Sequence, residues 1–439
     1  MNIRMYNVEF GETILLEKDE EYLLVDFGSK KPNLLASVSK HIQDSVQKES
    51  NFSFLISHFH DDHVNGVWET DLFDNLDCAG MLYVPELFPK YHNASPFTLA
   101  QLYMIADVLS SIILVPNYWK APSNANSPFT LYQLFHKILD TKRHVQFLQI
   151  GSTFQFAHDK YQILWPDYSN IPLLHSAVFQ LLNILYDCKL IEETAKTTGY
   201  VTIIGIDDFL NQLNEICNLF KEEPDAIYSA YDRLDQELQE AYDSMIRAIT
   251  PRIAHYCSSL SPSQKRQIQR TWKACTSYFN QCSIVFHSTS SDSGTLPDSG
   301  ILMTGDVTKR PLKNLIKYSM HPYYKMIKAP HHGTFSHYVN NLPACTHILI
   351  SNGEGQSRYQ KIHDGYGSLY GRTRKHTTIH CTNHRCNLYI SSKSSPNLEC
   401  TNCPKWPCVS CTTCNADCQN APTNGCIHYP KCKYTEFTI

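Results

Sequence analysis

The chain predicts an α/β fold in which two sheets are sandwiched between helices. Three observations carry this: short strand-like runs open the sequence, strand texture returns in its last third, and a long helical stretch lies between them. With 439 residues, 42% of them hydrophobic and 18% charged, the chain can bury a full core and has the composition of a globular protein.

The elements follow in order. Residues 3–8, 13–17 and 21–26 alternate as strands do, with Gly11 and Gly28 as punctuation. A helix is expected over 32–47, and the short apolar run 52–57 suits a buried strand. A strand at 81–84, helices at 97–114 and 130–139, and a strand at 161–165 come next. From about 171 to 279 the texture is helical: Ile227, Tyr231, Leu234, Leu238, Tyr242 and Ile246 recur at three- and four-residue spacing, with acids on the other faces. This reads as a helical insertion. Strands return at 283–287, 300–304, 324–328 and 347–351, and a last one is expected at 387–390. No internal repeat stands out. The domains expected are therefore a catalytic domain over 1–392, carrying the insertion, and a small Cys-rich tail over 393–439.

Charge is uneven along the chain. Residues 301–380 hold eleven Lys or Arg against three acids, a balance of +8, while 187–250 hold fourteen acids against five bases, a balance of −9. The basic stretch offers a surface to an anionic partner such as nucleic acid. The N-terminal residues lack a continuous apolar run and do not read as a secretory signal, and no segment is long enough to span a bilayer. A cytoplasmic protein without membrane attachment is expected. The seven cysteines before residue 380, Cys78, Cys188, Cys217, Cys257, Cys275, Cys282 and Cys345, are scattered singly, and no disulfide framework is expected among them.

The strongest chemical signal is Ser57-His58-Phe59-His60-Asp61-Asp62-His63, directly after an apolar strand. In extended chain His58 and His60 project to one side, so both imidazoles reach one metal ion, while Asp62 and His63 in the following turn reach a second. Four ligand-type side chains within six residues are hard to explain as packing.

These residues resemble the HxHxDH signature of the metallo-β-lactamase superfamily, matched by His58, His60, Asp62 and His63 without a gap. The resemblance covers most of the first 390 residues. Residues 8–13 followed by Leu24-Val25-Asp26-Phe27-Gly28 look like that fold's opening hairpin, in which the Asp-x-Gly turn supports the metal loop. Thr304-Gly305-Asp306 is similar to the later motif whose Asp bridges both metals. Lys328-Ala329-Pro330-His331-His332-Gly333-Thr334 is similar to the KxPHHGS segment of DNA-uptake competence proteins (ComEC-type) and their soluble relatives, with Thr334 for Ser. Asn280-Gln281-Cys282-Ser283, Ile350-Ser351-Asn352-Gly353 and Lys361-Ile362-His363 look like further segments of that branch. One departure stands out: where many members supply a third His to the first metal, the comparable strand reads Ile163-Leu164-Trp165-Pro166. Water or a His from the insertion is the expected substitute.

The resemblance implies an αββα metallo-β-lactamase sandwich holding two zinc or manganese ions. His58, His60 and Asp306 would hold the first, and Asp62, His63, Asp306 and His332 the second. Two ions roughly 3.5–4 Å apart could share a hydroxide formed near neutral pH, which suits hydrolysis. Asp62, Asp306 and His331 are the expected catalytic residues, and Lys328, His331 and His363 the expected phosphate contacts. The branch implies a phosphodiesterase or nuclease, with Lys309, Arg310, Lys313 and Lys325 adding to the phosphate surface and Arg358, Arg372, Arg374 and Lys375 extending it. A hydrolase of a small lactone or phosphoester, and a metal-stabilised interaction subunit with vestigial activity, remain alternatives.

The tail carries Cys400, Cys403, Cys408, Cys411, Cys414, Cys418, Cys426 and Cys432, with Cys381, His384 and Cys386 just before them and His428 among them. Thiolates at two-residue gaps bite a single tetrahedral metal, so one or two structural zinc ions are expected, with an iron–sulfur cluster as the second choice. The tail or the acidic insertion is a candidate surface for a protein partner.

Overall fold

A computed structural model describes residues 1–46, 50–76, 80–89, 96–114, 127–171, 173–191, 201–289, 300–353, 362–363, 365–368, 378–382 and 434–439. The first sheet is built from β1 (Asn2–Tyr6), β2 (Thr13–Lys18), β3 (Glu21–Phe27), β4 (Phe52–Leu55), β5 (Leu82–Pro85) and β6 (Val145–Leu148). The second takes β7 (Thr153–Phe156), β8 (Asp159–Trp165), β9 (Val285–Ser288), β10 (Ile301–Met303), β11 (Tyr323–Lys328), β12 (Ala344–Ile350) and β13 (Thr378–Cys381). The last strand, β14 (Tyr434–Thr438), returns to the first sheet, whose order is β14-β1-β2-β3-β4-β5-β6, against β13-β12-β11-β10-β9-β8-β7 in the second.

Both sheets are mixed, and they share one succession of pairings. From β14 to β3 neighbours are antiparallel, and from β3 to β5 parallel. From β7 to β10 they are antiparallel, and from β10 to β13 parallel. This repetition of architecture has no counterpart in sequence similarity, because strand pairing needs only the alternation of apolar side chains.

That alternation builds the core. Ile3, Ile14, Leu23, Val25 and Leu55 of the first sheet and Tyr161, Ile163, Phe286, Ile301, Met303, Met326 and Leu349 of the second form one buried cluster, so the two sheets pack face to face. On the first sheet's other face Tyr6 meets His41 and Phe54 meets Phe73, side chains borne by the helices Leu35–Ser45 and Leu72–Asn75. The protein is a mixed α/β structure with two mixed sheets. No disulfide joins the described cysteines, and among the described residues no helix is long and apolar enough to cross a membrane.

The chain divides into two compact units: residues 1–85, 148–166 and 280–439, and residues 86–147 and 167–279. The helical unit is therefore larger than the expected insertion at 171–279, because the helices Leu99–Leu114 and Thr130–Asp140 belong to it as well. Their partners explain why. Tyr132 stacks on Tyr242 at 3.7 Å, His136 pairs with Asp235 at 2.6 Å, and Tyr103 stacks on Phe279 at 4.0 Å. Helical texture read locally does not tell which helices share a core.

The domain boundary expected at 392 also needs correction, since β14 pairs antiparallel with β1 in register from Asn2↔Thr438 to Tyr6↔Tyr434. The final residues complete the first sheet. Arg4 binds Glu436 at 2.6 Å, and the Phe437 ring stacks on His380 of β13 at 3.8 Å and packs against the core. The eight cysteines from Cys400 to Cys432, together with His384, Cys386 and His428, lie outside the described residues, as does the strand expected at 387–390. Replacing Phe437 with Ala is expected to cost about 2 kcal/mol, the scale of a partly buried aromatic, and a chain ending at residue 433 to cost more. Urea denaturation checks both; an unchanged midpoint for the truncated chain would show that β14 contributes nothing.

Candidate metal centre

The chemistry-bearing side chains gather where the parallel strands end, as ligands do in α/β layers generally. Asp26 sits at the end of β3, His58 and His60 follow β4, Asp306 follows β10, Lys328 closes β11 with His331 and His332 just beyond, and Ser351 follows β12.

Close backbone packing holds these turns together. A Cβ on Gly28 would lie 2.3 Å from the backbone nitrogen of His63, so the Asp-x-Gly turn touches the His loop at a spot only glycine fits. Gly305, at φ +48°, turns the chain so that the Asp306 N–H donates to the Ser283 hydroxyl oxygen at 2.8 Å. Asp26, His331 and His332 also take left-handed φ values of 57°, 46° and 56°. For non-glycine residues such angles cost about 1 kcal/mol or more each, and they concentrate at functional sites.

Asp306 is the point of convergence. Its Oδ2 lies 3.3 Å from His63 Nε2, 3.5 Å from His332 Nε2 and 3.6 Å from His331 Nε2. His332 Nε2 is also 3.8 Å from Asp62 Oδ2, and Asp62 in turn meets Lys30 at 3.2 Å. The ligand-type atoms of His58, His63 and Asp306 lie within 4.8 Å of one another, and so do those of Asp62, His63 and His332 and those of Glu12, Asp306 and His332. All of these residues are buried. His60 stands beside them, with Nδ1 2.9 Å from His58 Nε2.

The second ring nitrogens show which atom each imidazole offers. His332 Nδ1 lies 3.0 Å from the Ser351 carbonyl oxygen, which only accepts, so the ring donates there and Nε2 carries the lone pair. That Nε2 makes no hydrogen bond and faces two carboxylates. His63 Nδ1 likewise meets Asp26 Oδ2 at 2.7 Å, and Asp26 itself takes the Ser57 N–H and hydroxyl at 2.6 and 2.7 Å. An imidazole oriented by a carboxylate or carbonyl behind it, with its other nitrogen turned to anionic oxygens, is the arrangement a metal ligand needs. Two carboxylates and several imidazole lone pairs facing one buried space repel each other unless a cation lies between them. The residues fit one.

Electrostatics agree. Burial would raise Asp62 and Asp306, but Lys30 and His63 hold the first, and His332, His63, His331 and Lys328 the second, well below the ordinary carboxylate range. Burial lowers His60, His331 and His332 to about 4 and His58 further, so these rings are neutral at pH 7. His63 is the exception: burial opposes its charge, yet Asp306 and Asp26 outweigh burial and keep it protonated well above the histidine range.

Lys328 departs from expectation. Read as a substrate phosphate contact, it is fully buried, its ammonium held by Glu12 at 2.5 Å, the Gly305 carbonyl at 2.9 Å and Asp306 at 3.5 Å. It holds the centre together from behind. His363 does not stand in open solvent either: its ring stacks on Tyr338 at 3.9 Å and its Nδ1 accepts the Gly365 N–H at 2.9 Å. Lys309, Arg310 and Lys313 are exposed on the helix Lys309–Tyr318, while Lys325 is half-buried on β11. Arg358, Arg372, Arg374 and Lys375 lie outside the described residues. Trp165, where a third His was sought, donates its indole N–H to the Gln281 carbonyl and offers no ligand atom. No insertion His joins the ligand groups found among the described residues. Sequence reading missed Glu12, Lys30 and His337, whose ring stacks on His331 at 3.9 Å. The available signal for Glu12 was an acid placed between Gly11 and a buried strand.

No family model matches the chain, and no curated protein matches its sequence.

Two outcomes are expected. Because His63 binds a proton that a metal ion must displace, zinc affinity should rise with pH, by about tenfold per pH unit for each proton displaced. Competition with a chelator at pH 6, 7 and 8 checks this, and a flat profile would contradict the protonated His63. Replacing Lys328 with Met strands the Glu12 and Asp306 charges and should cost about 3–5 kcal/mol in the metal-free protein, much of it recovered in the double variant with Glu12→Gln. Urea denaturation of the two variants decides; a double variant less stable than the single would refute the pairing.

Proposed function

We propose that the chain is a metal-dependent hydrolase of the metallo-β-lactamase fold, of the competence-protein type, acting on phosphodiester bonds. The observation that carries this reading is the convergence of His63, His331 and His332 on one buried carboxylate, Asp306, with His58 and Asp62 alongside. A pure scaffold has no use for so costly a set of charges. His58, His60 and Asp306 would hold one ion, and Asp62, His63, Asp306 and His332 the other. When bound, such a pair supplies Lewis acidity that activates water and neutralises charge on the substrate.

The chain's own residues perform the rest. Ser283 and Lys328 fix Asp306 in place, the first at its backbone N–H and the second at Oδ1. His331 is the more exposed of the two adjacent histidines, at 26% against 4% for His332, which suits His331 to substrate and His332 to metal. His331 Nδ1 lies 2.7 Å from the Thr334 hydroxyl, and in the tautomer where that hydroxyl donates, the neutral ring carries its proton on Nε2 and would offer it to a phosphoryl oxygen. Lys30, 63% exposed beside Asp62, and the exposed Lys309, Arg310 and Lys313 favour an anionic substrate over a neutral lactone.

The test is elemental analysis of the purified protein together with cleavage of labelled single- and double-stranded DNA and RNA, for wild type and Asp306→Asn. Two active-site zinc or manganese ions per chain and cleavage reduced at least a thousandfold in the variant are expected (on the order of the loss of the metal pair's contribution). Metal loading without cleavage of any phosphodiester would remove this reading and leave the lactone or interaction-subunit alternatives.

A further inference from the structure

Beside the His331–Gly333 turn lies a row of aromatic rings that the reading above does not use. Thr334, whose hydroxyl meets His331, is followed by Phe335, a large apolar side chain left 40% exposed. The Phe335 ring lies 4.2 Å from the His363 ring, His363 stacks nearly parallel on Tyr338 at 3.9 Å and 8°, and Tyr338 meets Tyr366 edge-on at 4.9 Å. Tyr338 and Tyr366 are buried, at 5% and 0% exposure, so the row is anchored in the interior at one end and open to solvent at the other.

Backbone contacts tie this row to the metal centre. The His363 N–H donates to the Gly333 carbonyl at 3.0 Å, and Thr334 bridges to Ile362. A Cβ on Gly365 would lie 2.2 Å from the Tyr338 ring, so that close approach admits only glycine. Phe335 is four residues from His331, within about 14 Å along the chain at full extension. A single exposed aromatic on a surface is ordinary. One whose ring lies tilted against His363, itself stacked on the buried Tyr338, next to a turn of two left-handed histidines, presents an anchored π face close in the chain to His331.

Resting on the phosphodiesterase reading, we propose that Phe335, backed by His363, is a nucleobase-stacking subsite, so that the substrate is a nucleotide diester whose base lies on Phe335 while its phosphate faces His331. The base then selects nucleic acid over base-free phosphoesters. Stacking is indifferent to base identity, since every base has a π face, so the subsite gives class specificity without sequence preference. His363 serves as the support of this face, which replaces its expected role as a phosphate contact.

The test is equilibrium binding of a dinucleotide with a hydrolysis-resistant phosphorothioate linkage and a 2-aminopurine base, whose fluorescence is quenched on stacking, to the metal-loaded protein. An otherwise identical abasic probe serves as the comparison, bound in competition. Wild type is expected to quench the fluorophore and to bind the base-bearing probe about 10-fold or more tighter than the abasic one, the scale of one base–aromatic stack. Phe335→Ala should remove both the quenching and the preference, and Phe335→Trp should restore them. Equal affinity for the two probes, or quenching that survives Phe335→Ala, overturns the subsite. Cleavage of a base-free methyl phosphodiester with no preference for the base-bearing probe overturns the subsite alone and keeps the hydrolase. Absence of any phosphodiester cleavage overturns the hydrolase itself.

Discussion

Keeping Asp306 ionised inside a dry interior is the constraint around which the rest is arranged. A buried carboxylate without compensation costs many kcal/mol, so each neighbour either neutralises it or orients something that does. Lys328 approaches from one side and the protonated His63 from the other, with the neutral His331 and His332 beside it, while Glu12 balances Lys328 and Asp26 balances His63. Charge alternates outward from Asp306 in two chains of this kind. The sandwich exists in this form because its two sheets must each deliver part of that arrangement: β3 and β4 bring Asp26 and the His loop, and β10 and β11 bring Asp306, Lys328 and the His pair.

Some of the chain's backbone strain falls at the same place. Asp26, His331 and His332 hold left-handed angles that side chains disfavour, and the core of Ile, Leu and Phe side chains between the sheets offsets their cost. Gly28 and Gly305 relieve two positions at the site where any Cβ would strike the backbone or side chain of a facing loop. Much of the turn chemistry of the first unit is thus spent on bringing distant loops within hydrogen-bond range of one another.

How far this was legible from the residues depends on the range of the signal. His58, His60, Asp62 and His63 are announced by their spacing after an apolar strand, because two-residue periodicity is a local property. Asp306 and His332 were legible only through the motifs Thr304-Gly305-Asp306 and the His pair before Gly333. Lys328 was legible as a position but not as a role: its sequence neighbourhood is basic, and only the fold shows that Glu12, over 300 residues earlier, waits for its ammonium. β7 and β13 escaped notice because four residues are too few to establish a period, and β14 because the cysteines before it dominate the composition. The aromatic row from Phe335 to Tyr366 joins residues from two segments, and no pattern in either one predicts that their rings meet.

The return of β14 to the first sheet changes what the cysteine segment is. β13 and β14 occupy edges of different sheets, and His380 and Phe437 press their rings together across the gap between them. The described strands on either side of residues 383–433 are each held by a neighbour, β13 by β12 and β14 by β1, and they meet through this one ring stack. The entropic cost of closing a loop between two fixed points rises by only about 0.6 kcal/mol for each doubling of its length, so the number of residues between β13 and β14 weighs little on the pairing of either strand.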